Sequence, residues 1–301
     1  MTRTLNKLRD DVEEGRKERK RIKTKYGFIP ESIIKIDYSR NKNLKQLVTT
    51  QNQKAKDYHK DKYYASDPEL LKALGASSKS VRGKEGGLSI FPYHLAEFII
   101  KFYSEKGETI FDPFAGHNSR MQIVFNLGRN YIGYDISKDF MGKNFRIKDN
   151  ITNQCLITEG MPKIELYEKD SRYIHLEDDS VDMIFTSPPY WNLEYYGDEE
   201  EQLGERPYAE FLKELQKCFF ECERILKYDR HMIINCNDFR AGNYYSYHSD
   251  IISLMKNTHL PIYDVGIVDW GSSIASCFAS QIDERKYLAK RHEYLLIFKK
   301  A

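Results

Sequence analysis

Cysteine is scarce in this chain. The five present, Cys155, Cys218, Cys222, Cys236 and Cys277, are odd in number and scattered through 301 positions. That pattern excludes a disulfide framework and fits a reduced, cytoplasmic protein. Long apolar runs are missing too. None reaches the roughly 18 residues of a membrane span, so no membrane partner is expected. The opening MTRTLNKLRDDVEEGRKERKRIK lacks the apolar core of a secretory signal. No internal repeat is present. Net charge is nearly absent as well: 47 basic residues meet 45 acidic ones, for +2, which by itself points to no partner. A disordered chain is excluded by 41% hydrophobic residues.

The charge that is there is unevenly placed. Met1 to Lys62 holds 18 basic and 9 acidic residues, whereas Ile164 to Arg230 is strongly acidic. A basic arm of this kind suits a polyanion. Residues 1–25 predict a charged helix with little to bury. KYGFIPESIIKIDY (25–38) carries a short apolar run, and GASSKSVRGKEGG (75–87) is a Gly/Ser-rich loop. Residues 1–87 are therefore expected to be a basic, polar extension, and residues 88–301 the folded domain.

Beyond Gly87 the rhythm changes. Helices are predicted over 91–104, 119–128, 207–227 and 246–258. Apolar strands are predicted at TIFDPF (109–114), NYIGYD (130–135), KIELYEKD (163–170), VDMIFTSPPY (181–190), HMIINCND (231–238), YDVGIVDW (263–270) and HEYLLIFKK (292–300). Strands alternating with helices indicate a mostly parallel, doubly wound α/β sheet. The last two strands lack a helix between them and should pair antiparallel. In such sheets ligands bind beyond the carboxyl ends of the strands. Asp112, Asp135, Asp170, Ser187 and Asp238 fall at those ends.

FDPFAG (111–116) followed by TSPPYW (186–191) resembles the amino-methyltransferases of DNA, over about residues 85–300. The resemblance implies a Rossmann-like fold with a seven-stranded, mostly parallel sheet and an antiparallel last strand. It implies S-adenosylmethionine as cofactor and an exocyclic base amine, cytosine N4 or adenine N6, as acceptor. Asp112, Phe114 and Gly116 match the first cofactor motif: Asp112 to take the ammonium, Phe114 to pack on the cofactor, Gly116 for close backbone approach. The usual second glycine is replaced in His117-Asn118-Ser119, and Asn118 tolerates the left-handed region better than most residues. Asp135, 23 residues after Asp112, suits the ribose hydroxyls. Asp170 would hold the adenine amino group, and Pro92, at a helix start, would line the methionine end.

Thr186-Ser187-Pro188-Pro189-Tyr190-Trp191 carries the chemistry. An exocyclic amine is a poor nucleophile, because its lone pair is delocalised into the ring. The Ser187 Oγ and the Pro188 carbonyl can accept its two N–H hydrogens and free that pair. Pro188 and Pro189 fix φ and preset the turn. Tyr190 can stack on a base removed from the duplex, with Trp191 as a further wall. Cytosine C5 chemistry needs a thiolate, commonly after proline, and no cysteine here follows proline. Cys218 and Cys222, one helical turn apart, are expected in the core rather than on zinc.

The Ser-Pro-Pro-Tyr form leans to cytosine N4, with adenine N6 as the alternative. A catalytically inactive nucleic-acid-binding protein of the same fold is the rival from another class, and the altered 116–119 turn is its support. Double-stranded DNA is the expected partner. Contacts are expected from the basic arm (Arg16 to Lys25; Lys54 to Tyr64), from Arg240 in RAGNYYSYHS and from the segment 271–291. No second domain large enough for a nuclease is visible, so a restriction endonuclease would be a separate chain. A prokaryotic or phage-encoded protein is implied.

Overall fold

The computed structural model describes residues 2–35, 91, 93–116, 119–153, 160–191, 199, 201–204, 206–271, 286, 288 and 290–301. Helix α1 (Thr2–Tyr26) leads to a short strand β1 (Ile33–Lys35). Then come α2 (Tyr93–Tyr103), β2 (Thr109–Asp112), α3 (Ser119–Asn126), β3 (Asn130–Asp135), α4 (Lys138–Asn153), β4 (Ile164–Glu168) and β5 (Val181–Thr186). The rest is α5 (Tyr208–Ile225), β6 (Leu226–Cys236), a small hairpin β7 (Phe239–Ala241) and β8 (Asn243–Tyr245), α6 (Tyr247–Leu254), β9 (Ile262–Asp269) and β10 (His292–Lys299).

The main sheet runs β1-β9-β10-β6-β5-β2-β3-β4. Strands β6, β5, β2, β3 and β4 are mutually parallel. β10 is antiparallel to both of its neighbours, β6 and β9. The seven expected strands are thus present, with the last one antiparallel, and an eighth joins them. β1, from the N-terminal segment, pairs in parallel with β9, Ile33 opposite Ile267. The expected boundary at Gly87 lies outside the described residues.

Both faces of the sheet's centre are buried, which is why β2, β3 and β5 read as near-continuous apolar runs. Neighbouring residues point to opposite faces. Ile110, Met183, Phe185 and Ile233 share one core with α2 and α3; Phe111, Ile184, Met232 and Ile234 share the other with α5 and α6. Helix α5 fills its side through Phe211, Leu215, Cys218, Phe219, Cys222 and Ile225, a helical stripe. Cys218 and Cys222 therefore sit in the core, and burial pushes both thiols up, away from thiolate. Helix α1 is mostly exposed from Glu13 onward, but its end docks. Tyr26 packs on Phe102 with ring centres 5.3 Å apart, and Phe28 on Phe98 at 4.5 Å. Among the described residues no helix is long and apolar enough to cross a membrane.

The chain runs outward from β2 to β3 and β4, then returns to place β5 on the other side of β2. The reversal leaves a crevice beyond Asp112 and Thr186, where an open α/β sheet binds its ligands.

Candidate active site

A cavity of about 360 Å³ opens at that crevice, within the size range of small-molecule sites. Phe114, Gly116 and Arg120 line it after β2, Asp135 and Ile136 after β3, and Asp170 and Ser171 after β4. Ser187, Pro188, Pro189 and Tyr190 line it after β5. Two motifs 70 residues apart in sequence thus face one space.

Asp112 is the residue expected at the cofactor's ammonium. Its side chain is fully buried and is not part of the cavity wall. One carboxylate oxygen accepts from Arg120 Nε at 2.5 Å and from the Tyr131 hydroxyl at 3.0 Å. The other accepts from Thr186 Oγ1 at 2.9 Å and the Phe114 amide at 3.2 Å. With both oxygens engaged by the protein, little remains for a ligand ammonium. Asp112 instead ties β2 to the last residue of β5 and aims Arg120, whose Nη2 donates to the Phe114 carbonyl at 2.6 Å.

Asp135 does face the cavity. Its carboxylate accepts from the Gly116 amide at 2.7 Å and the Ser137 amide at 2.9 Å. Burial, reinforced by Asp112, pushes its pKa up to about 6 against the pull of those two amides. Gly116 makes its bond at φ +44°, a left-handed conformation that a side chain resists. Its carbonyl accepts from Asn144 of α4 at 2.8 Å. Asp170 also lines the cavity, though Arg172 holds it by Nη2 at 2.6 Å and by its own amide at 2.8 Å. His117, Asn118 and Pro92 lie outside the described residues.

In the proline turn, the Tyr247 hydroxyl of α6 donates to the Pro189 carbonyl at 3.0 Å. Tyr190 packs between Tyr247, at 6.0 Å, and Phe239, at 6.3 Å. Trp191 is placed elsewhere: it is not part of the cavity wall. Its Nε1 donates to the Arg206 carbonyl at 2.6 Å, and its ring packs on Tyr208 and Tyr245 at 5.2 and 5.0 Å. It anchors the far end of the turn. Arg240 is exposed on the β7–β8 hairpin, its guanidinium 5.0 Å from the Tyr244 ring centre.

Several lining residues were not singled out from the sequence. Arg120 and Ser171 join the wall near β2 and β4; Asn235, Asn237, Trp270 and Glu293 form the end toward β6 and β10. Only the asparagines left a signal: polar side chains in the otherwise apolar run MIINCN.

The chain matches the DNA methylase family model over residues 9–144 and 181–301. Type II methyltransferase M.Cfr9I of Citrobacter freundii is 37% identical over 81 residues, which cover 26% of this chain and 27% of that protein. Orphan methyltransferase M.BamHII of Bacillus amyloliquefaciens is 39% identical over 64 residues, 21% of this chain and 24% of that one. The matched stretches thus span about a quarter of these relatives' lengths. Among solved structures, a SAM-dependent methyltransferase from Methanosarcina mazei has a TM-score of 0.47 at 12% identity, covering 71% of this chain and 99% of that one. Since the family model takes in both the cofactor-type motif and the proline turn, this chain is a member of the N6/N4 DNA methylase family.

Proposed function

We propose that the protein methylates an exocyclic amine of a DNA base with S-adenosylmethionine, cytosine N4 being the favoured acceptor. The observation that carries this is convergence. Ser187-Pro188-Pro189-Tyr190 and the Gly116–Asp135 pair line one cavity. The names of the relatives, type II and orphan methyltransferases, agree with a bacterial DNA-modifying role, and the type II names fit a separate restriction endonuclease as partner.

The donor set fits the cofactor. Asp135 is a half-buried acceptor suited to a ribose diol. Ile136 and Phe140 offer apolar wall beside it, and Asp170 an acceptor for an amino group. Arg120 brings a cation to the wall for a carboxylate. When bound, the cofactor supplies a methyl carbon already activated by its sulfonium.

The protein's part is positioning and electrostatics. Among the described residues nothing donates to the Ser187 hydroxyl or the Pro188 carbonyl, so both can accept from the target amine. Tyr247, by holding the Pro189 carbonyl, keeps the turn from rotating. Tyr190, braced by Phe239 and Tyr247, offers its ring to the base. Tyr190→Ala should weaken binding of DNA with a displaced base by about 1–3 kcal/mol. Competition with an abasic duplex checks this, since the loss should vanish there.

The raised pKa of Asp135 gives a pH dependence. Ribose hydroxyls donate, so the ionised carboxylate is the binding form. Below pH 6, cofactor affinity should fall by about tenfold per pH unit. The sign for stability is opposite. The folded protein holds this proton more tightly than the unfolded chain, so the contribution of Asp135 to stability falls as pH rises from about 4 to about 6. Calorimetric titration between pH 5 and 8 reads the first trend, and Asp135→Asn should flatten it.

The function itself is tested by incubating the protein with unmethylated DNA and S-adenosylmethionine, digesting to nucleosides and weighing the product. N4-methylcytosine bears out the reading. N6-methyladenine moves it to the other base, and no methylated nucleoside rejects it.

A further inference from the structure

The cavity end between β6 and β10 has an unusual chemistry. Asn235 is 3% exposed, and its Oδ1 has no hydrogen-bond partner among the described residues. The Oδ1 of Asn237, two residues on, is buried and unpartnered as well. Both residues line the cavity. A buried carbonyl left without a donor has lost its hydration with no bond in return, so such atoms call for an explanation. The amide of Asn235 is not free to turn over. Its Nδ2 donates to Glu293 Oε2 at 2.7 Å. A carboxylate can only accept there, so nitrogen must face it and oxygen must face the other way.

Strand register places this oxygen. Phe185 pairs with Ile233, and Thr186 with Ile234. The next residues outward on these parallel neighbours are Ser187 and Asn235. Strands lie about 4.8 Å apart, so the two side chains stand beside each other at the same edge. Glu293 enters from the antiparallel neighbour, where Leu295 faces Asn235. Phe239 and Trp270 supply apolar surface at the same end.

We propose that Asn235 contacts the target base, its Oδ1 sharing one of the two N–H hydrogens of the exocyclic amine with Ser187 Oγ in a three-centre bond while the Pro188 carbonyl takes the other, and that Glu293 is the positioning residue that locks this amide. The ligand class is an amino-bearing nucleobase. The inference rests on the methyltransferase reading above and names a residue that its proline turn does not contain. Methyl transfer would form the N–C bond as the methyl–sulfur bond breaks, the sulfur leaving as a neutral thioether with the bonding pair, and the amine nitrogen would be positive until its proton passes to water. A fixed carbonyl oxygen pointing at that nitrogen is worth more at this stage than before it. The absent donor in the free protein is then the substrate's own.

The test uses the full chain, unmethylated bacterial DNA and radiolabelled S-adenosylmethionine, with methyl incorporation, cofactor Kd and urea midpoint read together. Asn235→Leu keeps the volume and removes the lone oxygen together with the Nδ2 donor to Glu293, whose half-exposed carboxylate can turn to water. Its expected urea midpoint is equal to or above wild type, and its cofactor Kd lies within about twofold. Its turnover is at least about tenfold lower, the scale of one buried hydrogen bond. Glu293→Leu releases the amide and should lower kcat with the same Kd. Glu293→Gln, whose side-chain carbonyl still accepts from Nδ2, should restore most of it. Wild-type turnover in Asn235→Leu overturns the inference, as does a loss of cofactor binding or of folding that accounts for the defect. Full activity in Glu293→Leu removes the locking role. Wild-type protein that methylates nothing fails the underlying reading instead, a result distinct from all of these.

Discussion

Ser187→Ala should lower methyl transfer by about 10²-fold or more, the scale for removing one group aimed at the reacting centre. Cofactor affinity and stability should stay at wild-type values. The reason is local. Ser187 follows the last residue of β5 and lines the cavity. The carboxylate that anchors this strand end holds Thr186, one residue earlier. Removing the Ser187 oxygen therefore leaves the scaffold intact and subtracts one acceptor from the amine. Single-turnover kinetics with saturating DNA measure this directly. Unchanged turnover would take Ser187 out of the mechanism, leaving the Pro188 carbonyl as the turn's acceptor.

The second large effect is on folding. Asp112→Ala should destabilise the protein by about 3–5 kcal/mol, because it leaves the Arg120 guanidinium buried without its counter-ion. It also strands the hydroxyls of Thr186 and Tyr131, which both donate to this carboxylate. Cofactor binding should weaken too, through the displacement of Arg120 and Phe114 rather than through a lost ligand contact. The double variant Asp112→Ala/Arg120→Met should lose less stability than the two single changes added together. Urea unfolding of the four proteins in this cycle separates the cases. A well-folded Asp112→Ala protein that has lost only cofactor affinity would return Asp112 to the ligand.

The central parallel strands β2, β3 and β5 were legible because both of their faces are covered, so each appears as an apolar run ending at an acid or a proline. Helix α4 was not: KDFMGKNFRIKDNITN is mostly polar, and it meets the site through the Asn144 amide and the Phe140 ring. β1 contributes three residues, too few for any period, and only its pairing with β9 defines it. At the site, position was readable but direction was not. Asp112 and Asp135 both end strands in the same crevice. What separates them is Arg120 and Tyr131, whose side chains meet Asp112 only once the sheet has formed. Trp191 adjoins the proline turn, yet Tyr208 and Tyr245 draw its ring away. The asparagines of β6 carried a faint mark, since an amide within an apolar strand needs a reason for being there.

The place of β10 has a consequence for how the molecule is made. β10 is translated after β6 and β9 and yet lies between them. During synthesis those two strands emerge from the ribosome with a gap where their common neighbour belongs. They carry unpaired edges until the chain returns to fill it, and closing such distant contacts is slow. Glu293 arrives with that closing strand. Nascent chains that stop before β10 should therefore be prone to aggregate, so that the sheet closes only once that strand has emerged.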